Sequence, residues 1–136
     1  MSTSIEFPLR RRRSLFGQIV DLRIRLEVRT TAGFRGHRFL VDTGVEVSVA
    51  PRRLAADVGL DWDMLPMIEV AGVGPGRVSA KLGSLLLRIG GSDVSARCLF
   101  LEQRDAPYIL GCADVLDRFA LTIDAGLGEF VLTEIH

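Results

Sequence analysis

An acid, a hydroxyl and a glycine follow one another where an apolar run of the sequence ends. The run covers residues 39–41, and Asp42, Thr43 and Gly44 come directly after it. Bulky apolar residues in series predict a buried strand, and glycine has the backbone freedom that a tight turn needs. We therefore expect the Asp42 carboxylate at the rim of a core, with the Thr43 hydroxyl and the Gly44 N–H as its nearest donors.

A carboxylate in this position allows two interpretations. Asp-Thr-Gly can be an ordinary turn, in which the aspartate accepts a hydrogen bond from the backbone two residues on. It can also hydrolyse a peptide bond, but that chemistry needs two carboxylates that share one proton, one as base and one as acid. The sequence has a single Asp-Thr-Gly. Asp114 and Asp124 are the internal alternatives; neither is followed by Thr-Gly or Ser-Gly, and Asp114 opens a predicted helix that it could cap.

The surroundings of the tripeptide favour the catalytic interpretation. Ser48 closes the loop, and far downstream Ile109-Leu110-Gly111 precedes a segment that we predict to be a short helix. Together these features resemble the retroviral-type (retropepsin-like) aspartic proteases, over a stretch from about Asp21 to Leu132. The chain is too short for the two lobes of a pepsin-like enzyme, so the second carboxylate is expected from a second copy related by a two-fold axis.

The resemblance implies a homodimeric aspartic endopeptidase that acts on protein or peptide substrates without a cofactor or metal. Asp42 would be the catalytic acid and base, one from each subunit. Thr43 would brace the pair through its hydroxyl, the Gly44 N–H would steady the carboxylate, and the 109–111 segment would support the loop from behind.

A glycine-rich stretch is the second part of the predicted site. In the resembled family such a hairpin closes over bound peptide as a flap, although here Pro75 removes one N–H that could contact the substrate. The candidate substrate-binding residues of this hairpin are Ala71, Gly72, Val73 and Gly74. A phosphate-binding loop is excluded by spacing, because Arg77 stands where the last glycine of that motif should be. An ordinary surface hairpin remains an alternative.

Two further candidate substrate-binding residues, Val45 and Glu46, depart from the family's usual pattern. Val45 should narrow the pocket beside the catalytic pair. Glu46 could hydrogen-bond the substrate backbone, could pair with an arginine across the dimer, or could add negative charge near the pair. These departures motivate a second hypothesis, a catalytically weak or inactive dimerisation and peptide-binding module of the same fold.

Periodicity predicts the elements that position these residues. Apolar and charged residues alternate over residues 21–29, which indicates a half-exposed strand. The other predicted strands are residues 37–41, 67–70, 77–80, 85–89, 94–101, 108–111, 120–124 and 129–135, and the predicted short helices are residues 50–59 and 113–119. We expect an all-β fold, a closed and mostly antiparallel β-barrel with two short helices, in a single domain of residues 17–136. Residues 1–16 are expected to be a flexible arm.

Composition narrows the function classes. Apolar residues make up 48% of the 136 residues and charged residues 25%, which favours an ordered domain. The formal net charge is zero, so the overall balance indicates neither nucleic acid nor a membrane as a partner, and the four arginines at positions 10–13 are interpreted as a solvated terminal segment.

Histidine and cysteine usage narrows the chemistry further. The two histidines, His37 and His136, leave little for a metal site or a catalytic triad. Cys98 and Cys112 are expected to be buried or half-buried free thiols in a reducing compartment. There is no run of 18 apolar residues and no signal-peptide pattern at the N-terminus. We therefore expect a cytoplasmic location.

Overall fold

The computed structural model describes residues 3–71 and 76–135, and most of these residues pair as strands. In the described ranges, the strands in chain order are β1 (Ser4–Pro8), β2 (Arg10–Ser14), β3 (Gly17–Asp21), β4 (Arg23–Thr30), β5 (Gly33–Val41), β6 (Ser48–Pro51), β7 (Met67–Ala71), β8 (Arg77–Ile89), β9 (Ser92–Leu101), β10 (Ile109–Leu110), β11 (Phe119–Asp124) and β12 (Glu129–Glu134). The helical elements there are α1 (Arg52–Asp57) and the 3-10 turns Trp62–Met64 and Leu116–Arg118.

The largest sheet has seven strands in the order β4-β5-β10-β6-β9-β8-β7. β8 also pairs with β4, so the hydrogen bonding leads back to the first strand. β5–β10 and β6–β9 are parallel pairs, and the other neighbours in this sheet are antiparallel. The prediction of a mostly antiparallel, β-rich fold is therefore confirmed.

Alternation along the strands builds the core. In β4, Ile24, Leu26 and Val28 are buried while the residues between them are exposed, as the period of two predicts. β9 repeats the pattern with a buried row that comprises Val94, Ala96, Cys98 and Phe100. Each strand thus contributes one apolar face to a shared core, which also contains Phe39, Leu87 and Leu110.

The first predicted helix is confirmed. Pro51 stands at its N-cap position in an extended conformation, and α1 follows directly. Gly59 has a φ of +82°, a left-handed conformation that ends the helical segment. Leu54 and Ala55 are buried, so this short helix closes one side of the core.

The second predicted helix, residues 113–119, is wrong. The chain there forms only the 3-10 turn Leu116–Arg118, and β11 begins at Phe119. The physical reason is Asp114, whose φ of +68° interrupts a right-handed helix. The N–H of Leu116 consequently donates to the carbonyl of Gly111, five residues back.

The N-terminal segment also differs from the expected flexible arm. β1 pairs antiparallel with β12, in a three-stranded sheet of order β1-β12-β11. Ile5 and Phe7 pack against the core, and the rings of Phe7 and Phe130 meet edge to face with their centroids 6.2 Å apart. β2 and β3 form a separate two-stranded hairpin. The signal in the sequence was the alternation of Ile5 and Phe7 with polar residues, too short to stand out.

Among the described residues, no helix is long and apolar enough to cross a membrane.

If β1 belongs to the folded unit, Phe7→Ala should lower the free energy of unfolding by about 2 kcal/mol, because it removes a large side chain that packs on the core. Equilibrium unfolding in urea measures this change. Leu15→Ala, at a fully exposed position, is the matched control and should change stability by less than about 0.5 kcal/mol. Equal stabilities for the two variants would mean that the segment is a loose arm after all.

Candidate active site

The Asp42 loop begins where β5 ends. β10 lies parallel to β5, with Ile109 beside Leu40 and Leu110 beside Val41. The Asp42 N–H donates to the Leu110 carbonyl at 3.1 Å, one step beyond the paired residues. The end of a buried strand therefore fixes the backbone of Asp42, while its side chain remains partly accessible.

The loop holds its own carboxylate. The Gly44 N–H donates to Oδ1 of Asp42 at 2.9 Å, as predicted from the sequence. The Val45 N–H donates to the Asp42 carbonyl at 3.3 Å, which closes the turn. Thr43 is exposed at the surface of the protomer. Because a backbone donor occupies one oxygen of Asp42, the second oxygen is left to face the solvent or another group.

A distant segment braces the loop from behind. The N–H of Cys112 donates to the Val45 carbonyl at 2.9 Å, and the N–H of Ala113 donates to the Glu46 carbonyl at 2.7 Å. The Cys112 thiol donates to the Thr43 carbonyl at 3.3 Å. Three loop residues, Thr43, Val45 and Glu46, are therefore tied to this segment.

Ser48 forms the buried end of this brace. Its side chain is fully buried, and its hydroxyl oxygen accepts a hydrogen bond from the Gly111 N–H at 3.0 Å. Gly111 has no room for a side chain, because a Cβ there would lie 2.6 Å from the carbonyl carbon of Val47 and 2.9 Å from the Ser48 nitrogen. The sequence-based expectation that residues 109–111 pack behind the loop is confirmed. Only a glycine can approach the loop so closely.

Neither alternative carboxylate is free to join Asp42 within one protomer. Asp114 accepts hydrogen bonds from the backbone N–H, Nε and Nη2 of Arg97, at 2.9, 2.8 and 3.1 Å. Asp124 accepts from the Leu127 N–H at 3.0 Å and caps the β11–β12 turn. Hydrogen bonds from the Arg97 guanidinium and N–H lower the pKa of Asp114 to about 2. Asp114 is thus held as a structural carboxylate.

An apolar hollow of about 400 Å³ opens beside the loop. Val45 and Ala71, two of the predicted substrate-binding residues, line it. Glu46 is exposed, and the predicted Gly72, Val73 and Gly74 lie outside the described residues. The other lining residues are Val49, Val70, Val78, Leu99, Leu101, Pro107 and Ile109. Sequence reasoning missed these seven, since they come from separate strands and the connector before β10, and their only common signal is an apolar side chain.

The remaining candidate groups lie elsewhere. His37 stacks on the Tyr108 ring with the centroids 5.2 Å apart, and burial lowers the pKa of His37 despite the opposing charge of Asp57. Cys98 and Cys112 are both free, and burial raises the pKa of the Cys98 thiol well above its usual range. Residues 3–71 and 76–135 contain no group of three or more His, Cys, Asp or Glu residues placed to hold a metal ion.

Ser48→Ala tests the brace. The substitution leaves the Gly111 N–H buried without an acceptor, so the free energy of unfolding should fall by about 1–3 kcal/mol. Ser95→Ala, on the exposed face of β9, is the control, and its free energy of unfolding should lie within about 0.5 kcal/mol of that of the unmodified protein. Chemical denaturation of the three proteins gives the comparison. If Ser48→Ala and Ser95→Ala lowered the free energy of unfolding equally, the buried Ser48 hydroxyl would not be needed for stability.

The Arg97–Asp114 pair predicts an acid-dependent loss of stability. Because the folded state lowers the pKa of Asp114 to about 2, the pair stabilises the protein above pH 4 and this stabilisation is lost as the pH falls towards 2. Asp114→Asn keeps a residue that tolerates a positive φ but removes the charge. Its melting temperature should lie below that of the unmodified protein at pH 6, and the gap should close by about pH 2. Asp105→Asn, in an exposed loop, should have the melting temperature of the unmodified protein at both pH values. A difference in melting temperature for Asp114→Asn that is the same at pH 6 and pH 2 would contradict the assignment.

No family model matches the sequence, and no curated protein matches it significantly. Among solved structures, the chain is similar to a retropepsin-like aspartic protease from Rickettsia conorii, with 20% sequence identity and a TM-score of 0.66. The match covers 98% of this chain and 92% of that chain. At this identity the likeness shows the fold, and the chain therefore has the fold of the retropepsin-like aspartic proteases.

Proposed function

We propose that this protein is a homodimeric aspartic endopeptidase. The observation that carries the proposal is the Asp42 loop, in which a carboxylate at the end of a buried strand is held by the Gly44 N–H beside an apolar hollow. The likeness to a known retropepsin-like protease supports the same class of chemistry.

The second carboxylate comes from a second copy of the chain. Asp114 and Asp124 are engaged in hydrogen bonds of their own, so of these three candidate aspartates a single protomer offers Asp42 for the reaction. A two-fold axis beside the loop brings the two Asp42 side chains together, one from each subunit. Two carboxylates at such a short distance cannot both ionise at low cost, so the pair shares one proton. In this arrangement the exposed Thr43 hydroxyl faces the partner loop and braces the pair.

The shared proton defines the reaction. The ionised Asp42 takes a proton from a water molecule whose oxygen attacks the peptide carbonyl carbon, while the protonated Asp42 donates its proton to the carbonyl oxygen. The tetrahedral diol then collapses, the C–N bond breaks, and a proton passes to the leaving nitrogen. The carboxylic acid and the amine are released, and no cofactor or metal takes part.

The substrate lies extended between the hollow and the β7–β8 hairpin. The hollow accepts an apolar side chain of the peptide, and Val45 limits its size next to Asp42. In this proposal the connection between β7 and β8 serves as the flap, and Gly72, Val73 and Gly74 contact the peptide. Pro75 offers no N–H to the substrate. Exposed Glu46 contacts the peptide backbone or an arginine of the partner.

The terminal sheet constrains how the dimer forms. β12 is paired on one side with β1 and on the other with β11, so it has no free edge in the protomer. A partner strand can extend this sheet only at β1 or β11, or by taking the place of β1. A dimer interface at this sheet therefore adds a strand beside β1 or beside β11, or exchanges β1 between the subunits so that the partner's strand pairs with β12.

A second candidate function is a peptide-binding and dimerisation module that cleaves poorly or not at all. The observation that favours it is Val45, whose branched side chain lines the hollow directly after the Asp-Thr-Gly turn. Such a module would bind apolar peptides with equal affinity before and after Asp42→Asn.

The test is cleavage of a diverse peptide library between about pH 4 and 7, the range in which a carboxylate pair can hold one proton. The unmodified protein should cleave peptides next to apolar residues, and Asp42→Asn should lower the rate at least about 1,000-fold without a change in melting temperature. Asp105→Asn controls for the loss of a surface carboxylate and should cleave normally. Products from Asp42→Asn at the unmodified rate would contradict the proposal, and peptide binding without products from either protein would favour the module.

Mixing the unmodified protein with Asp42→Asn tests whether the two subunits share one pair of Asp42 carboxylates. If each site needs Asp42 from both subunits, an equal mixture with Asp42→Asn leaves about a quarter of the dimers competent after subunit exchange. Activity per unmodified chain should then fall to about half. An unchanged activity per unmodified chain would mean that one protomer carries the whole site.

A further inference from the structure

The β2–β3 hairpin ends in an exposed apolar tip. Leu15 and Phe16 are 99% and 92% exposed, the highest values among the exposed large apolar residues. Within residues 3–71 and 76–135, β2 and β3 pair with each other and with no other strand. Exposed apolar side chains at the end of a hairpin gain nothing from the core, so they are available to another apolar phase.

The same hairpin is strongly basic. β2 contains four consecutive arginines, residues 10–13, and all four are exposed. In the described part of the chain none of these four side chains forms an ion pair. Alternation along the strand places Arg11 and Arg13 on one face and Arg10 and Arg12 on the other. The positive charge therefore surrounds the approach to the tip.

More arginines lie at the base of the hairpin. A hollow of about 430 Å³ there is lined by Arg10, Arg23, Arg25 and Arg38, with Phe7, Pro8 and Ile24 as its apolar part. Asp21 pairs with Arg23 at 3.0 Å and with Arg38 at 3.5 Å. Asp21 thus pairs with two of the four lining arginines, and no carboxylate is among the described residues that line the hollow, which therefore keeps an excess of positive charge.

The net charge of the chain is zero, but its basic and acidic residues are unevenly distributed along the sequence. Residues 1–41 contain nine arginines and three acidic residues, whereas residues 42–136 contain eight basic and fourteen acidic residues. The expectation from the overall balance, that no membrane is involved, took no account of this distribution.

We propose that the basic hairpin, which comprises the four β2 arginines, the hollow at their base and the Leu15–Phe16 tip, docks on an anionic phospholipid surface. Arginines that approach such a surface are attracted by its negative potential. The tip enters the boundary between headgroups and acyl chains, where an apolar side chain needs no complementary pocket. The hollow then faces the phosphate-bearing headgroups. A nucleic acid would match the arginines but would leave Leu15 without a partner, since an aliphatic side chain does not stack on bases as an aromatic ring does.

The first experiment is co-sedimentation with vesicles of phosphatidylcholine, alone or with about 30% phosphatidylserine, a composition that gives a negative surface potential. The protein should sediment with the anionic vesicles and not with the neutral ones. Binding should weaken as salt rises from about 0.1 M to 0.5 M, because the charges are screened. Equal binding to both vesicle types, or binding to neither, would overturn the proposal.

Two pairs of variants separate the tip from the charge. Leu15→Ser with Phe16→Ser should weaken partitioning at least about tenfold, while Leu127→Ser, at an exposed apolar position in another hairpin, should leave it unchanged. Arg11→Gln with Arg13→Gln should weaken it about 25-fold and flatten the salt dependence, while Arg104→Gln with Arg118→Gln should have no effect. Circular dichroism confirms that each variant is folded. If the Leu15/Phe16 variant or the Arg11/Arg13 variant partitioned into vesicles like the unmodified protein, the proposal would be overturned.

Insertion of the tip can be observed directly. Phe16→Trp places an indole at the tip, and its emission should shift to the blue and be quenched by brominated acyl chains in anionic vesicles. The unmodified protein, whose sole tryptophan is Trp62, gives the background. An unquenched tip indole would overturn the insertion. Loss of single-stranded RNA binding in the arginine variant, with vesicle binding absent, would identify a nucleic-acid surface instead.

Discussion

The parallel pairing of β5 with β10 is the interaction on which the candidate site depends. It brings the chain around residue 110 beside the strand that leads into Asp42, although the two are far apart in sequence. The loop then finds its acceptors and donors in the neighbouring segment, and the polar groups of this crowded region are satisfied by one another. Ser48 is fully buried yet hydrogen-bonded to the Gly111 N–H. Such a network loses more when one member is removed than a surface contact would, because the remaining partner stays buried.

The residues that close this region show why a short loop needs distant support. Gly111 allows backbone to approach backbone, and Asp114 adopts a left-handed conformation three residues later. The Arg97 guanidinium fixes that conformation from β9. The backbone around Asp42 is therefore positioned by a neutral hydroxyl, a missing side chain and an ion pair, none of which belongs to the Asp-Thr-Gly turn itself.

Local patterns predicted much of this architecture. Alternation marked β4, the apolar run before Asp42 marked the end of β5, and Gly59 marked the end of α1. The helix expected over residues 113–119 failed because Asp114 takes its conformation from Arg97, a tertiary partner that no local propensity contains. β1 was missed because its stability comes from β12, at the other end of the sequence. The lining of the hollow could not be assembled from the sequence either, since it depends on which strands become neighbours.

The pairing of β1 with β12 has a consequence for how the protein matures. Ser4 is paired with Thr133 and Pro8 with Glu129, so β1 cannot join its sheet until β12, which is synthesised much later, is available. Loop closure over such a separation makes this a late and slow event in folding. The brace behind Asp42 also comes from the C-terminal part of the chain. A nascent chain on the ribosome therefore contains the Asp-Thr-Gly turn before it contains the segment that fixes the backbone of that turn.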